Sequence, residues 1–275
     1  MGFLETVYEL SDRAANSGIV KYIGGDPKEF STACSDLLNA LCMFFFSIRM
    51  WKALPKHHRS AFWHMFFFFL SSVLGFFKHA WYQCDDPPDF GFYLWKVDVA
   101  AVYACNLFAT YFMLVFCPHK LPGVRRGLRW FVNTVFVFFM YVLLSRIDTP
   151  FLYCGVAVLI SVGSGCITAV LFGLFARRAG PATPAEFSDP ANLCALSVQP
   201  PELRVLPFRY FLLYILVVFV AFALQISHIS FPPWLTFNVL FHWVILASEY
   251  LFYRVSMEVA QGLLPAADQP KPKDH

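Results

Sequence analysis

Asp36, His79, Asp98, Asn238, His242 and Glu249 are the residues of this chain that could carry chemistry, because each interrupts a long apolar run. At membrane depth a polar or ionisable side chain costs roughly 3 kcal/mol unless it is paired or hydrated, so such residues mark an interior site by default. In the last run, WLTFNVLFHWVILASEYLFYRVSMEV, His242 follows Asn238 by four positions and Glu249 follows His242 by seven. Near 100° per residue the three share one broad helix face, expected to point into a bundle. Ser72 precedes His79 by seven positions and shares its face.

The elements that must position them are read from hydropathy. The chain has 275 residues, of which 58% are hydrophobic and 14% charged, with 33 Phe. A soluble domain has about 25% charged residues, so the composition is that of an integral membrane protein. Seven apolar runs follow one another: 32–53, 60–82, 90–116, 128–145, 151–176, 208–228 and 234–259. Each is near the length at which ~20 helical residues cross a hydrocarbon core of ~30 Å. The expected fold is all-α, a seven-transmembrane helix bundle over residues 32–259. Ahead of it, residues 1–31 read as an amphipathic surface segment with Phe3, Leu4, Val7 and Leu10 at helical spacing. Glu5, Glu9 and Asp12 argue against a cleaved signal peptide there. A polar loop, 177–207, separates runs five and six, and 260–275 reads as a disordered tail.

Orientation follows from the excess of Lys and Arg that cytosolic loops hold. The first, third and fifth connections with their helix ends carry Arg49, Lys52, Lys56, Arg59, Lys120, Arg125, Arg126, Arg129, Arg177, Arg178, Arg204 and Arg209; the others carry Lys96 and Arg146. The N-terminus is therefore expected outside or lumenal and the C-terminus in the cytosol. That orientation brings Asp36, His79, Asp98, His228, Asn238 and His242 into the outer half of the bundle, with Glu249 deeper. Five spans placing Asp or His at one level point to a polar core.

Plainer readings stand beside this one. His228 fits the headgroup level, and His79, between Lys78 and Trp81, fits an interfacial anchor. Asp36 near a helix start meets the positive end of the helix dipole. Glu249 has Arg49 and Arg254 as candidate partners, and His57, His58, His64, His119 and His275 fall in loops, at a span edge or in the tail. The Phe-rich runs at 44–46 and 66–69 read as lipid-facing or packing surface. None of the eight cysteines forms CxxC, and Cys34, Cys84 and Cys154 share the outer side, where a disulfide can form. The net charge of +3 gives no reason to expect a nucleic-acid partner. Membrane lipid is the expected surrounding.

SSVLGFFKHAW at the end of run two, WKVDVA in run three and NVLFH in run seven resemble the CREST superfamily of seven-span proteins, which includes alkaline ceramidases and the progestin and adipoQ receptors. TACSDLLNALCMFFFSIRMW, WHMFFFFLSSVLGFFKHAW and FNVLFHWVILASEYLFYR are similar to an uncharacterised seven-span family associated with that group. In the zinc hydrolases of the superfamily three His hold zinc, whose bound water attacks an amide carbonyl. The resemblance implies His79 and His242 as metal ligands and Asp98 as the catalytic carboxylate that orients water. Two positions depart from it: Asn238 stands where a third His is expected, and Gly75 where a Ser is expected. Asn is a poor zinc ligand. Ser72, His228 or Asp36 is then left to complete the site.

Two functional classes remain open. One is a non-catalytic or degenerate CREST-like protein, lipid-binding or receptor-like, in which the His, Asp and Asn residues form a hydrogen-bonded core. The other is a zinc-dependent lipid-amide hydrolase with an altered metal site. A sphingolipid-like ligand suits either, and zinc is the one cofactor implied. A retinal pigment is a weaker reading, because it needs a Schiff-base Lys and no Lys occurs between Lys120 and Lys271.

Overall fold

The structure is a computed structural model that describes residues 27–54, 58–82, 90–115, 122–145, 201–227 and 235–262. Every described element is helical: α1 (Pro27–Ala53), α2 (Arg59–Trp81), α3 (Phe90–Val115), α4 (Pro122–Ser145), α5 (Pro201–Ser227) and α6 (Phe237–Gly262). The all-α class expected from sequence holds. The surface segment before residue 27, the run 151–176, His228 and the tail lie outside the described residues.

Prolines open three of these helices, at Pro27, Pro122 and Pro201. Proline's fixed φ suits the first helical position, where its missing N–H forfeits no bond. α6 is opened by Thr236, whose hydroxyl accepts the Val239 amide at 3.3 Å. α4 and α5 begin ahead of the apolar runs expected from Leu128 and Phe208. Arg125, Arg126, Arg129 and Arg204 therefore lie within helices. Hydropathy marks only the apolar part of a helix, whereas the backbone ladder continues through charged turns.

The helices pack in the order α4, α3, α2, α1, α6, α5, with α6 also touching α2. Successive neighbours along α1, α2 and α3 run antiparallel, so two ends can be distinguished. At the end that includes the α1–α2 connection, Met43, Met50, Met65, Phe112, Phe252 and Tyr253 form a continuous apolar core. Phe112 is fully buried, with its ring 5.4 Å from Phe252. Phe46 stacks on Tyr253 at 4.5 Å. Arg59 lies 4.1 Å over the Trp51 ring and ties the start of α2 to the end of α1.

The outer faces are apolar as well. Leu41, Phe44 and Phe45 on α1, Trp130, Phe138 and Tyr141 on α4, and Leu216 and Phe219 on α5 are all exposed. The stretches Glu29–Ala53 and Arg59–Trp81 have the length and hydropathy to cross a membrane, and Leu212–Gln225 is a shorter apolar helical stretch.

Candidate functional site

At the end opposite the apolar core the helices separate around a cavity of about 180 Å³, to which α1, α2, α3, α5 and α6 all contribute lining residues. Each wall follows from helical spacing. Asp36 and Asn39 are one turn apart on α1; Phe68, Ser71, Gly75 and His79 form a stripe on α2; Asp98, Val102 and Cys105 one on α3; His242, Ile245 and Glu249 one on α6. Of the residues singled out in the sequence, Asp36, Ser72, Gly75, His79, Asp98, His242 and Glu249 line this single space. Asn238 does not. Its Oδ1 instead accepts a hydrogen bond from Gln225 Nε2 at 2.8 Å, joining α6 to α5. Its expected place beside His242 on the site-lining face is thereby corrected.

Both histidines of the cavity have their Nδ1 engaged by α1. His79 Nδ1 donates to Glu29 Oε2 at 2.5 Å. His242 Nδ1 lies 2.8 Å from Ser35 Oγ and 3.3 Å from Asp36 Oδ1. The Ser35 hydroxyl donates to the Thr32 carbonyl at 2.7 Å, so its single proton is committed. His242 Nδ1 is then the donor, and its Nε2 lone pair is the remaining acceptor of a neutral ring. Asn39 Nδ2 reaches the His242 carbonyl at 3.4 Å, further fixing α1 against α6.

Asp98 accepts the hydroxyl of Ser71 in a short hydrogen bond between α3 and α2. His79 and His242, expected beside Asp98, have their Nδ1 atoms engaged by Glu29 and by Ser35 with Asp36. Ser72 lines the cavity next to Ser71.

Asp36, whose plainer reading was a residue at a helix start, is 5% exposed and lies well inside α1. Its Oδ2 has no hydrogen-bond partner among the described residues. Gly75 explains how it fits: a Cβ at that position would lie 2.9 Å from Asp36 Oδ2. The absence of a side chain at Gly75 is what lets the carboxylate approach α2.

Glu249, which lines the cavity, belongs to a buried pair that sequence reasoning missed. His64, taken for a span-edge residue, is fully buried. Its Nδ1 lies 2.9 Å from the Cys105 carbonyl, and its Nε2 lies 2.6 Å from Glu249 Oε2. A carbonyl can only accept, so Nδ1 carries a proton. The Nε2–Oε2 contact then holds one further proton, whether drawn as imidazolium and carboxylate or as imidazole and carboxylic acid. The Tyr214 hydroxyl donates more weakly to Glu249 Oε1, at 3.4 Å. Neither arginine proposed for Glu249 pairs with it. Arg49 sits over the Phe45 ring at 4.7 Å, and Arg254 pairs with Glu258 at 3.1 Å. The signal for His64 was present in the sequence, since 64, 68, 71, 75 and 79 share one helix face.

Cys34 stands as a free thiol, while Cys84 and Cys154 lie outside the described residues. Among the described residues, no three His, Cys, Asp or Glu side chains gather as a metal-ligand group. His79 and His242 alone make a poor zinc site, since structural and catalytic zinc takes at least three protein ligands.

A family model for a family of unknown function, DUF6962, matches residues 31–185, more than half of the chain. The chain belongs to that family. The match includes the α1, α2 and α3 walls of the cavity, from Asp36 to Asp98, whereas His242 and Glu249 of this DUF6962 protein lie beyond it. No curated protein and no solved structure matches the chain.

Proposed function

We propose that this protein is a seven-span integral membrane protein of CREST-like architecture that binds the polar end of a membrane lipid in the cavity, without hydrolysing it. The N-terminus is outside or lumenal and the C-terminus cytosolic. The observation that carries the reading is the convergence of Asp36, His79, Asp98 and His242 from four helices on one aromatic-walled space. Polar residues so placed in an apolar bundle mark ligand or ion sites. The volume of about 180 Å³ is below the ~300 Å³ at the small end of ordinary ligand pockets. It suits a headgroup and the first carbons of a chain, with the remaining chain passing toward the bilayer.

One observation favours the hydrolase alternative. The Nδ1 atoms of His79 and His242 face carboxylates of Glu29 and Asp36, the arrangement that orients metal-binding imidazoles in many enzymes. Among the described residues no third ligand joins them, which weighs against it. Asn238, at the expected position, turns to Gln225, and His228 lies outside the described residues.

Lipid extraction and mass spectrometry of the purified protein, with metal analysis of the same sample, test the proposal. A defined lipid retained by wild type and lost in a cavity-blocking Ile245→Trp variant, with zinc well below one per chain, is the expected result. One tightly held zinc per chain would establish the hydrolase reading instead. A tag after His275 on the same side of the membrane as one before Met1 would overturn the seven-span topology.

A further inference from the structure

The acceptors of the cavity are not all matched by donors. Glu249 shares a proton with His64, and Asp98 takes the Ser71 hydroxyl. Asp36 shares His242 Nδ1 through Oδ1, at the longer distance of 3.3 Å, and its Oδ2 has no partner. One turn along α1, Asn39 is 2% exposed and its Oδ1 is also without a partner among the described residues. Lys78 contributes positive charge to the surroundings of Asp36 but no hydrogen bond to Oδ2. Two buried acceptors on one face of one helix, both from residues that line the cavity, call for a guest that donates hydrogen bonds.

We propose that the cavity binds a protonated primary amine, seated on Asp36 Oδ2 and Asn39 Oδ1 beside Gly75. This deepens the lipid-binding reading and rests on it. An ammonium offers three N–H donors and the charge that a buried carboxylate needs to remain ionised. Charge-assisted hydrogen bonds of this kind are about twice as strong as neutral ones. The aromatic wall of Phe68, Trp95, Phe222 and Phe241 suits a cation through the ring quadrupole. A quaternary ammonium would carry the charge but no donor, and an alcohol would donate but carry no charge. Calcium or magnesium prefers six or more oxygen ligands and zinc at least three protein ligands, more than Asp36 and Asn39 present.

The test uses the full chain in phosphatidylcholine nanodiscs and follows its melting with n-decylamine, n-propylamine, n-decanol or decyltrimethylammonium. Decylamine is expected to raise the melting temperature in proportion to its concentration, with decanol and the quaternary salt without effect. A response to decylamine alone assigns the site to a lipid-borne amine, and a response to propylamine as well assigns it to amines in general. Asp36→Asn and Asn39→Leu should each weaken the apparent affinity about tenfold or more. The comparison among ligands on the wild type needs no variant to fold. Equal stabilisation by decanol and decylamine would overturn the amine site while leaving lipid binding intact. Stabilisation by sodium or potassium chloride that depends on Asp36 would overturn it in favour of an inorganic cation. No response to any amine would mean that water alone satisfies the two oxygens. In that case, retention or loss of a co-purified lipid decides the broader reading separately.

Discussion

The two ends of the bundle use the same helices for opposite purposes. Around Phe112, Met50, Met65 and Tyr253 the side chains form a continuous apolar cluster, with the buried His58 ring 5.8 Å from Phe112. Around Asp36, Asp98 and His242 the same α1, α3 and α6 hold apart a space whose largely apolar wall carries these polar side chains. The difference arises within single helices. α1 carries Asp36 and Asn39 in its first half and Met43 and Met50 on the same side in its second. α2 reverses the order, with His64 and Met65 early and Ser71, Gly75 and His79 late. One end supplies cohesion, and the other can be left incompletely packed because of it.

The boundary between the ends should be the most sensitive part of the molecule. His64→Leu leaves Glu249 buried without its partner, an arrangement expected to destabilise by about 3–5 kcal/mol. Thermal melting of the reconstituted protein measures this, and the double variant His64→Leu with Glu249→Leu should recover most of the loss. A double variant no better than the single would mean that the pair is not coupled. Next is Phe112→Ala at the packed end, for which truncation of a fully buried aromatic predicts a loss of about 3–5 kcal/mol. If the cavity end proves equally sensitive to truncation at Phe222, the contrast between the ends fails.

Gly75→Ser gives an intermediate effect of opposite origin. The added side chain has no room beside Asp36 Oδ2, so overpacking should cost about 1–3 kcal/mol. Relief of that loss by Asp36→Ala in the same chain would locate the clash. A serine at this position, where the CREST hydrolases carry one, is thus expected to displace a carboxylate rather than to improve a metal site. Asp98→Asn should be milder, since Ser71 can still donate to the amide oxygen, and a loss of about 1 kcal/mol is expected. The smallest effect belongs to Asn238→Ala, which removes one interhelical hydrogen bond of a kind averaging about 0.6 kcal/mol in membrane proteins. A large loss there would show that the α5–α6 contact supports the cavity more than its geometry indicates.

Much of this was legible in the sequence, for identifiable reasons. Apolar runs gave the six described helices, because each contains a long stretch poor in charge, but they missed the polar first turns of α4 and α5. Shared depth brought Asp36, His79, Asp98 and His242 to one level, and they line one cavity. Pairing was not legible. His79 meets Glu29, which lies outside the apolar run of α1, and Asp98 meets Ser71, an unremarked residue next to Ser72. Glu249 was paired with arginines by charge alone, whereas the structure gives it His64, a neighbour fixed by the rotation of α2 against α6. Depth depends on position along one helix, and pairing depends on the rotation of two.

The order of synthesis gives the packing order a further meaning. Asp36, Asn39 and Asp98 leave the ribosome well before His242, which follows Asp98 by 144 positions. At ~5–20 residues per second that interval is on the order of ten seconds. During it the α1–α3 hairpins can form, but Asp36 lacks the imidazole it meets in the finished bundle. A chain halted after α4 therefore holds the α1, α2 and α3 walls of the cavity with a buried carboxylate still short of its partner, and the site is completed only when α6 arrives.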